Sequence, residues 1–203
     1  MLTVTTPAES HRLTTLATVK AELNLTGSSG DDSYLAELID RASDMVSRHC
    51  NHSFARETVL ETFRLAVPEW VLSLARWPLA NILSVTENGN TLTADDYEAE
   101  NEMGFLHRLA DDRRTLWATG KIEVSYRAGY ALPGQPGRTL PPDAEAAVVA
   151  LVKDFWFARG RDLAVKAETV EGLGRTDYWR GGDSSMPPEV VGLLTPYRNI
   201  PVG

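Results

Sequence analysis

Residues 31–50 read DDSYLAELIDRASDMVSRHC. Leu35, Leu38, Ile39, Ala42, Met45, Val46 and His49 recur in steps of three and four, the spacing that lines up one face of an α-helix. Asp31 or Asp32 stands where a helix N-cap belongs, with a carboxylate able to accept from the first orphan N–H groups. The preceding segment, residues 13–25 (LTTLATVKAELNL), repeats the pattern on a smaller scale. There Thr15 is the cap, and Leu16, Val19 and Leu23 share one face. TGSSG at 26–30 supplies a flexible turn, so the two helices are expected to pack as an antiparallel pair.

Beyond residue 57 the period changes. Residues 58–65 (TVLETFRL), 70–74 (WVLSL), 82–86 (ILSVT), 104–109 (GFLHRL) and 121–126 (KIEVSY) are short runs of branched and aromatic residues, which read as strands. Asn88-Gly89 is a tight-hairpin signal. Helix returns at Pro142, a good first-turn residue, and continues through DAEAAVVALVKDFWFAR with apolar residues almost all round. Such a helix needs neighbours on several sides, or keeps one face for a partner subunit. Residues 161–188 carry glycines at 172, 174, 181 and 182 among Thr, Ser and Asp, and read as an extended arm that also holds Leu173, Tyr178 and Trp179. A short helix from Pro188 to Leu194 follows and stops at Pro196.

The fold expected is α+β: mainly a helical bundle formed by both ends, with a small inserted antiparallel β-rich portion and an extended C-terminal arm. The bundle and its insert, at about 57–127, occupy residues 1–160; the arm and short helix occupy 161–203.

At 203 residues the chain can bury an ordinary core, and its lone cysteine excludes an internal disulfide. The start, MLTVTTPAESHR, lacks a basic stretch followed by an apolar one, and the most apolar run is broken by Lys153 and Asp154, so a soluble cytoplasmic protein with no membrane partner is expected. Without an export signal the triplets Asn24-Leu25-Thr26 and Asn51-His52-Ser53 read as chance matches to a glycosylation acceptor. Lys plus Arg number 20 against 28 Asp plus Glu, a net charge of -8. That balance repels phosphates and argues against ordinary nucleic-acid binding.

Three chemical readings were weighed. His49, Cys50 and His52 are the cluster of soft ligands, but structural zinc takes four ligands in spaced pairs, and neighbours on a helix point about 100° apart. The competing reading is a buried cysteine between exposed histidines. A cysteine nucleophile would need a positioned base, an orienting group and an oxyanion hole, and nothing selects His11 or His107 for that work. Gly172-Leu173-Gly174 begins like a dinucleotide fingerprint, yet position 177 is Asp where the third glycine belongs. The expectation is no catalytic residue, no cofactor and no metal, with a small Cys/His-dependent enzyme as the alternative class.

The order of motifs along the chain resembles that of the head-tail connector proteins of tailed phages, also called adaptor or head-completion proteins. The likeness lies in Leu16, Val19, Lys20 and Leu23, then Asp31-Asp32, Leu35, Leu38-Ile39, Ala42 and Phe54. It continues through Trp77-Pro78-Leu79 before Ile82-Leu83-Ser84-Val85, Tyr97, Gly104-Phe105-Leu106, and Ile122-Glu123-Val124-Ser125-Tyr126-Arg127-Ala128-Gly129-Tyr130. Pro141-Pro142, a long helix and Leu193-Leu194-Thr195-Pro196-Tyr197-Arg198 complete it. The resemblance implies a non-enzymatic adaptor in the virion neck, assembled in the bacterial host cytoplasm. Its partners would be copies of itself in a ring, expected as a dodecamer, the portal protein above, and a stopper or tail protein below. DNA would pass through without specific binding. Another neck or tail-completion ring protein is the nearest alternative.

On that reading Asp95, Asp96, Glu98, Glu100 and Glu102 are candidates for an acidic channel lining, or form a solvated loop. Tyr178, Trp179 and Arg180 combine ring and guanidinium, the residue types that anchor interfaces, unless Trp179 folds back on its own subunit. The resemblance makes Leu193, Leu194, Tyr197 and Arg198 candidates for contact with the portal or a neighbour; packing within the chain is the other reading, favoured for the two leucines.

Overall fold

The computed structural model describes residues 1–159, 167–170, 174–177 and 186–199. The chain divides into two compact units, each discontinuous in sequence: Met1–Ser10 with Ser53–Thr139, and His11–His52 with Leu140–Gly203.

The first unit holds nine strands: β1 (Leu2–Thr6), β2 (Glu57–Leu65), β3 (Val71–Ser73), β4 (Leu79–Glu87), β5 (Asn90–Thr91), β6 (Tyr97–Glu100), β7 (Phe105–Ala110), β8 (Arg113–Thr115) and β9 (Gly120–Ala128). They form a five-stranded sheet in the order β1-β2-β9-β4-β5 and a four-stranded sheet in the order β3-β7-β6, with β8 also on β7. Every pairing is antiparallel. β9 is central: all nine of its residues pair with β2, from Glu57↔Ala128 to Leu65↔Gly120, while its other edge pairs with β4. Its alternate residues Ile122, Val124, Tyr126 and Ala128 are buried and join Val59, Leu72, Leu106 and Trp117 in one core. Tyr126 carries its polar atom into that core and satisfies it. The hydroxyl donates to Glu61 Oε2 at 2.8 Å and accepts from the Arg76 N–H at 3.2 Å, and the same Glu61 oxygen takes the Ala75 N–H at 3.0 Å.

The turns follow backbone chemistry. Asn88 and Gly89 both have positive φ, 50° and 87°, as the two-residue turn between β4 and β5 requires. Asp111 and Asp112, at φ 50° and 58°, make the corresponding turn between β7 and β8. Where β9 ends, Gly129 at φ 99° hands the chain back: its N–H donates to Pro78 O, and Tyr130 N–H donates to Phe54 O at 2.7 Å.

The second unit contains α1 (Leu16–Glu22), α2 (Asp32–Cys50), α3 (Pro142–Phe157) and α4 (Pro188–Leu194), and a two-stranded hairpin of β10 (Ala167–Val170) with β11 (Gly174–Asp177). Thr15 caps α1 as its sequence suggested, its hydroxyl accepting from Thr18 N–H at 3.1 Å. Asp31 occupies the N-cap position of α2 but makes no side-chain cap bond. Its carboxylate instead takes Arg159 Nη1 at 2.8 Å, while Asp32 takes Lys20 Nζ at 2.7 Å. α2 packs on α3, and α3 on α4. Leu35, Ile39, Ala42 and Val46 of α2, Ala144, Val148, Leu151 and Val152 of α3, and Val190 and Leu194 of α4 are buried. Two buried hydrogen bonds tie the segment before α1 into this unit: Thr14 Oγ1 donates to Glu145 Oε1 at 2.9 Å, and Leu13 N–H donates to Ser43 Oγ at 3.0 Å. Among the described residues no helix is long and apolar enough to cross a membrane.

The expectation of a mainly helical bundle with a small β insert and an extended arm is corrected here. Helix and strand hold nearly equal shares, and the strands build two antiparallel sheets rather than a small insertion. The physical reason lies in strands that carry no hydrophobic alternation. β1 is LTVTT on the sheet edge with four of its five residues exposed; β6 is YEAE and β8 is RRT, strands joined through charge pairs. Within 161–188, the stretch read as an arm, the described residues of β10 and β11 pair as a hairpin.

Gly129 tests the hand-over after β9. A Cβ there would sit 2.5 Å from Ala55 O at a φ that L-residues rarely adopt. Gly129→Ala is expected to lower unfolding free energy by about 1–3 kcal/mol, read as a drop in urea midpoint; an unchanged midpoint would contradict the geometry.

Candidate interaction surfaces

The acidic stretch sits on the four-stranded sheet, and most of its charge is matched there. The turn Ala94–Asp96 opens with Thr93, whose N–H and hydroxyl both donate to Asp96 Oδ2, at 2.8 and 2.7 Å. Arg108 on β7 is half-buried and reaches Glu87 at 3.2 Å and the Asp96 carboxylate at 3.5 Å, while donating to Asp96 O at 2.8 Å. Arg114 on β8 spans Glu98 at 2.8 Å and Glu100 at 3.1 Å, and Glu100 also meets His107 Nε2 at 2.9 Å. Three of the five residues, Asp96, Glu98 and Glu100, therefore bind the sheet's own cations. Asp95 lies in the turn and Glu102 in the tight connection between β6 and β7, both exposed.

These bonds lower the acidity constants of the carboxylates. Asp96 falls below its ordinary 3.8 chiefly through the bonds from Thr93, and Glu98 falls below 4.5 chiefly through the bond from Arg114. A carboxylate with a depressed folded value adds stability that is present above its unfolded value and is lost as pH falls through the folded one.

The end of the described chain packs on the C-terminus of α2. Leu194 is fully buried and Leu193 and Tyr197 are half-buried, while Arg198 is exposed. Asn199 N–H donates to Cys50 O at 2.7 Å, satisfying one of the carbonyls that a helix end leaves open. Asn51, at φ 47°, closes α2 in the left-handed conformation. Arg198 brings positive charge to this end, where the helix dipole favours it. Leu194 is thus an internal packing residue, and Leu193, Tyr197 and Arg198 form its outer margin. Tyr178, Trp179 and Arg180 lie outside the described residues.

The soft-ligand cluster offers no chemistry. Cys50 is fully buried, and burial pushes its thiol up to about 11 despite Arg198 nearby. A thiol so held is protonated at neutral pH and is neither nucleophile nor ligand. Burial, with Arg198 adding to it, lowers the His49 imidazole and keeps it neutral. His52 is buried rather than exposed. Among the described residues no group of three His, Cys, Asp or Glu side chains could hold a metal ion. Gly174 and Asp177 belong to β11, not to a strand-to-helix turn.

One surface was not anticipated. Residues 66–71 (AVPEWV), between β2 and the start of β3, are all exposed. Trp70 keeps 62% of its surface in water and Val67 60%. Glu69 and Trp117 form an isolated antiparallel bridge, with Trp117 N–H donating to Glu69 O at 2.8 Å. Trp117 itself is buried, its Nε1 donating to Leu106 O at 3.1 Å, whereas Leu116 beside it is exposed. The readable signal was Trp70-Val71-Leu72: three consecutive apolar residues on a strand cannot all face the core.

The head completion protein family model matches residues 12–200. No curated protein sequence is significantly similar to the chain. Among solved structures, a chain from the neck of an empty gene transfer agent particle, computed with C6 symmetry, matches with a TM-score of 0.61 at 16% identity. A chain of the native gene transfer agent virion matches at 0.59 and 15%, and one from the native particle's neck, computed with C12 symmetry, at 0.55 and 16%. Each comparison covers 100% of this chain and 97% of the other. At these identities the likeness is one of fold.

Two expectations follow. The stability gap between the wild type and Arg114→Ala in urea is expected to narrow as the solution is acidified below the ordinary carboxylate range, and a gap independent of pH would refute the pairing. A thiol reagent at neutral pH is expected to leave Cys50 unmodified in the native protein and to label it fully in denaturant; rapid native labelling would show that the thiol is accessible.

Proposed function

The chain belongs to the head completion protein family, a structural and not a catalytic class, and from that premise we propose that it is the ring-forming adaptor in the neck of a phage or phage-like particle. Copies stand beneath the portal as a ring, a dodecamer if it keeps the twelvefold symmetry of the similar neck structure. The ring lengthens the DNA channel, and its far face receives a stopper or tail protein. Assembly takes place in the bacterial host cytoplasm. The observation that carries the reading is the single family match over residues 12–200. A fold shared from end to end with chains of gene transfer agent necks supports it.

The activity is geometric. Subunits meet head to tail, and such contacts close into a ring when the rotation per copy divides the circle. The net charge of -8 lets DNA slide past rather than adhere, because adhesion to phosphate needs cations to displace its counterions. Since Arg108 and Arg114 neutralise Asp96, Glu98 and Glu100, the exposed Asp95 and Glu102 are the members of the stretch best placed to face a channel. At the other unit, Leu193, Tyr197 and Arg198 offer a surface to the portal or to a neighbour.

Particles made without this gene are expected to have heads without tails, and cryo-EM of wild-type necks to show the protein between portal and stopper. Fully tailed particles from the deletion would overturn the reading. A monomer in isolation would not, since closure is expected to be templated by the portal.

A further inference from the structure

We propose that the exposed strip of Val67, Trp70, Val71 and Leu116 is the surface by which one copy of this protein grips the next; the inference rests on the ring proposed above. The strip is a product of strand pairing. β6 occupies one edge of β7 along Tyr97↔Arg108 to Glu100↔Phe105. The other edge is shared end to end, with β3 on His107, Leu106 and Phe105, and β8 on Arg108, Leu109 and Ala110. The Glu69↔Trp117 bridge closes the junction between β3 and β8. Antiparallel register then sets Trp70 opposite Leu116 on the next rung.

The junction is anchored from beneath. Trp117 and Leu72 alternate with the exposed residues and are buried in the core of the same sheet unit, at 0% and 2% exposure. The apolar groups above them, exposed at 60%, 62%, 38% and 41%, are therefore held on paired backbone and lose little freedom when covered. A tryptophan with aliphatic neighbours on a rigid base is the composition of an interface hot spot, and a solvent-facing cluster of this kind marks a contact.

The occupant is a second copy. An apolar centre is characteristic of permanent contacts between identical subunits, and in a closed ring every copy must make that contact on both sides. Charge agrees: exposed Arg64 and Arg113 lie on the strands leading into the strip, and the chain that would approach them carries a net charge of -8. DNA fits poorly, since two arginines on so acidic a protein neutralise little phosphate. Because ring contacts are heterologous, the strip meets a different surface of the neighbouring copy.

The test places the photo-crosslinking residue p-benzoylphenylalanine at position 70 of the full chain, co-expressed with its cognate portal. After irradiation of purified necks, the adduct is identified by mass, and cryo-EM of the same preparation reports separately whether a ring is present. Copy-to-copy adducts in a preparation with rings are expected. Rings with adducts to portal, stopper or DNA alone, or with no adduct, would overturn the strip's assignment while leaving the ring intact. Absence of any ring would overturn the function and the assignment together. As a second measurement, Trp70→Ser combined with Leu116→Ser is expected to keep the thermal unfolding midpoint, since both side chains are largely exposed, and to reduce ring occupancy on portals about tenfold or more. A folded variant that forms rings at wild-type occupancy would contradict the proposal.

Discussion

The pairing of β9 on both its edges is the constraint from which the sheet unit follows. A strand that hydrogen-bonds on either side has no free backbone group to satisfy, so its nine residues cannot shift register without breaking both ladders at once. That rigidity decides where Tyr126 lies, and Tyr126 in turn decides the path of the chain after β3. Its hydroxyl and Glu61 between them hold the N–H groups of Ala75 and Arg76. Burying a tyrosine and a glutamate together is stable here because each polar atom has a partner.

How much of this was legible from the chain depended on which force held each element. Helices held by an apolar face were readable to within a residue or two, as with α2, α3 and α4. Strands with an alternating buried face, such as β2, β4 and β9, were visible for the same reason, and so was the Asn88-Gly89 turn. β6 and β8 were hidden because Glu98 and Glu100 on one are matched by Arg114 on the other, a cross-strand pairing that a one-dimensional pattern shows only as a charged run. β1 was hidden because an edge strand facing water has no reason to alternate. Missing these three strands made the sheets look like an insertion on a bundle.

The candidate surfaces divide along the same line. The acidic stretch was noticed for its charge, and the structure spends most of that charge on neighbouring arginines. Leu194 was noticed as part of an end motif and proves to be core. The strip around Trp70 was overlooked because its apolar residues looked like any strand's; only the pairing of 69 with 117 shows that they face outward. A sequence reports which residues are apolar, while which of them lack cover depends on contacts between distant parts of the chain.

The discontinuity of both units bears on the order in which they can form. Every segment of the sheet unit has been synthesised once residue 139 is made, so its ladders can close while the ribosome is still translating. The helical unit is different: α1 and α2 come early, yet the bond from Asn199 to Cys50 and the burial of Leu194 wait for the last stretch of polypeptide. Until that stretch emerges, the apolar face of α2 has no complete cover, and the nascent chain carries a finished half beside an open one. A ribosome that stalls between residues 140 and 190 would leave the latter exposed to chaperones and proteases.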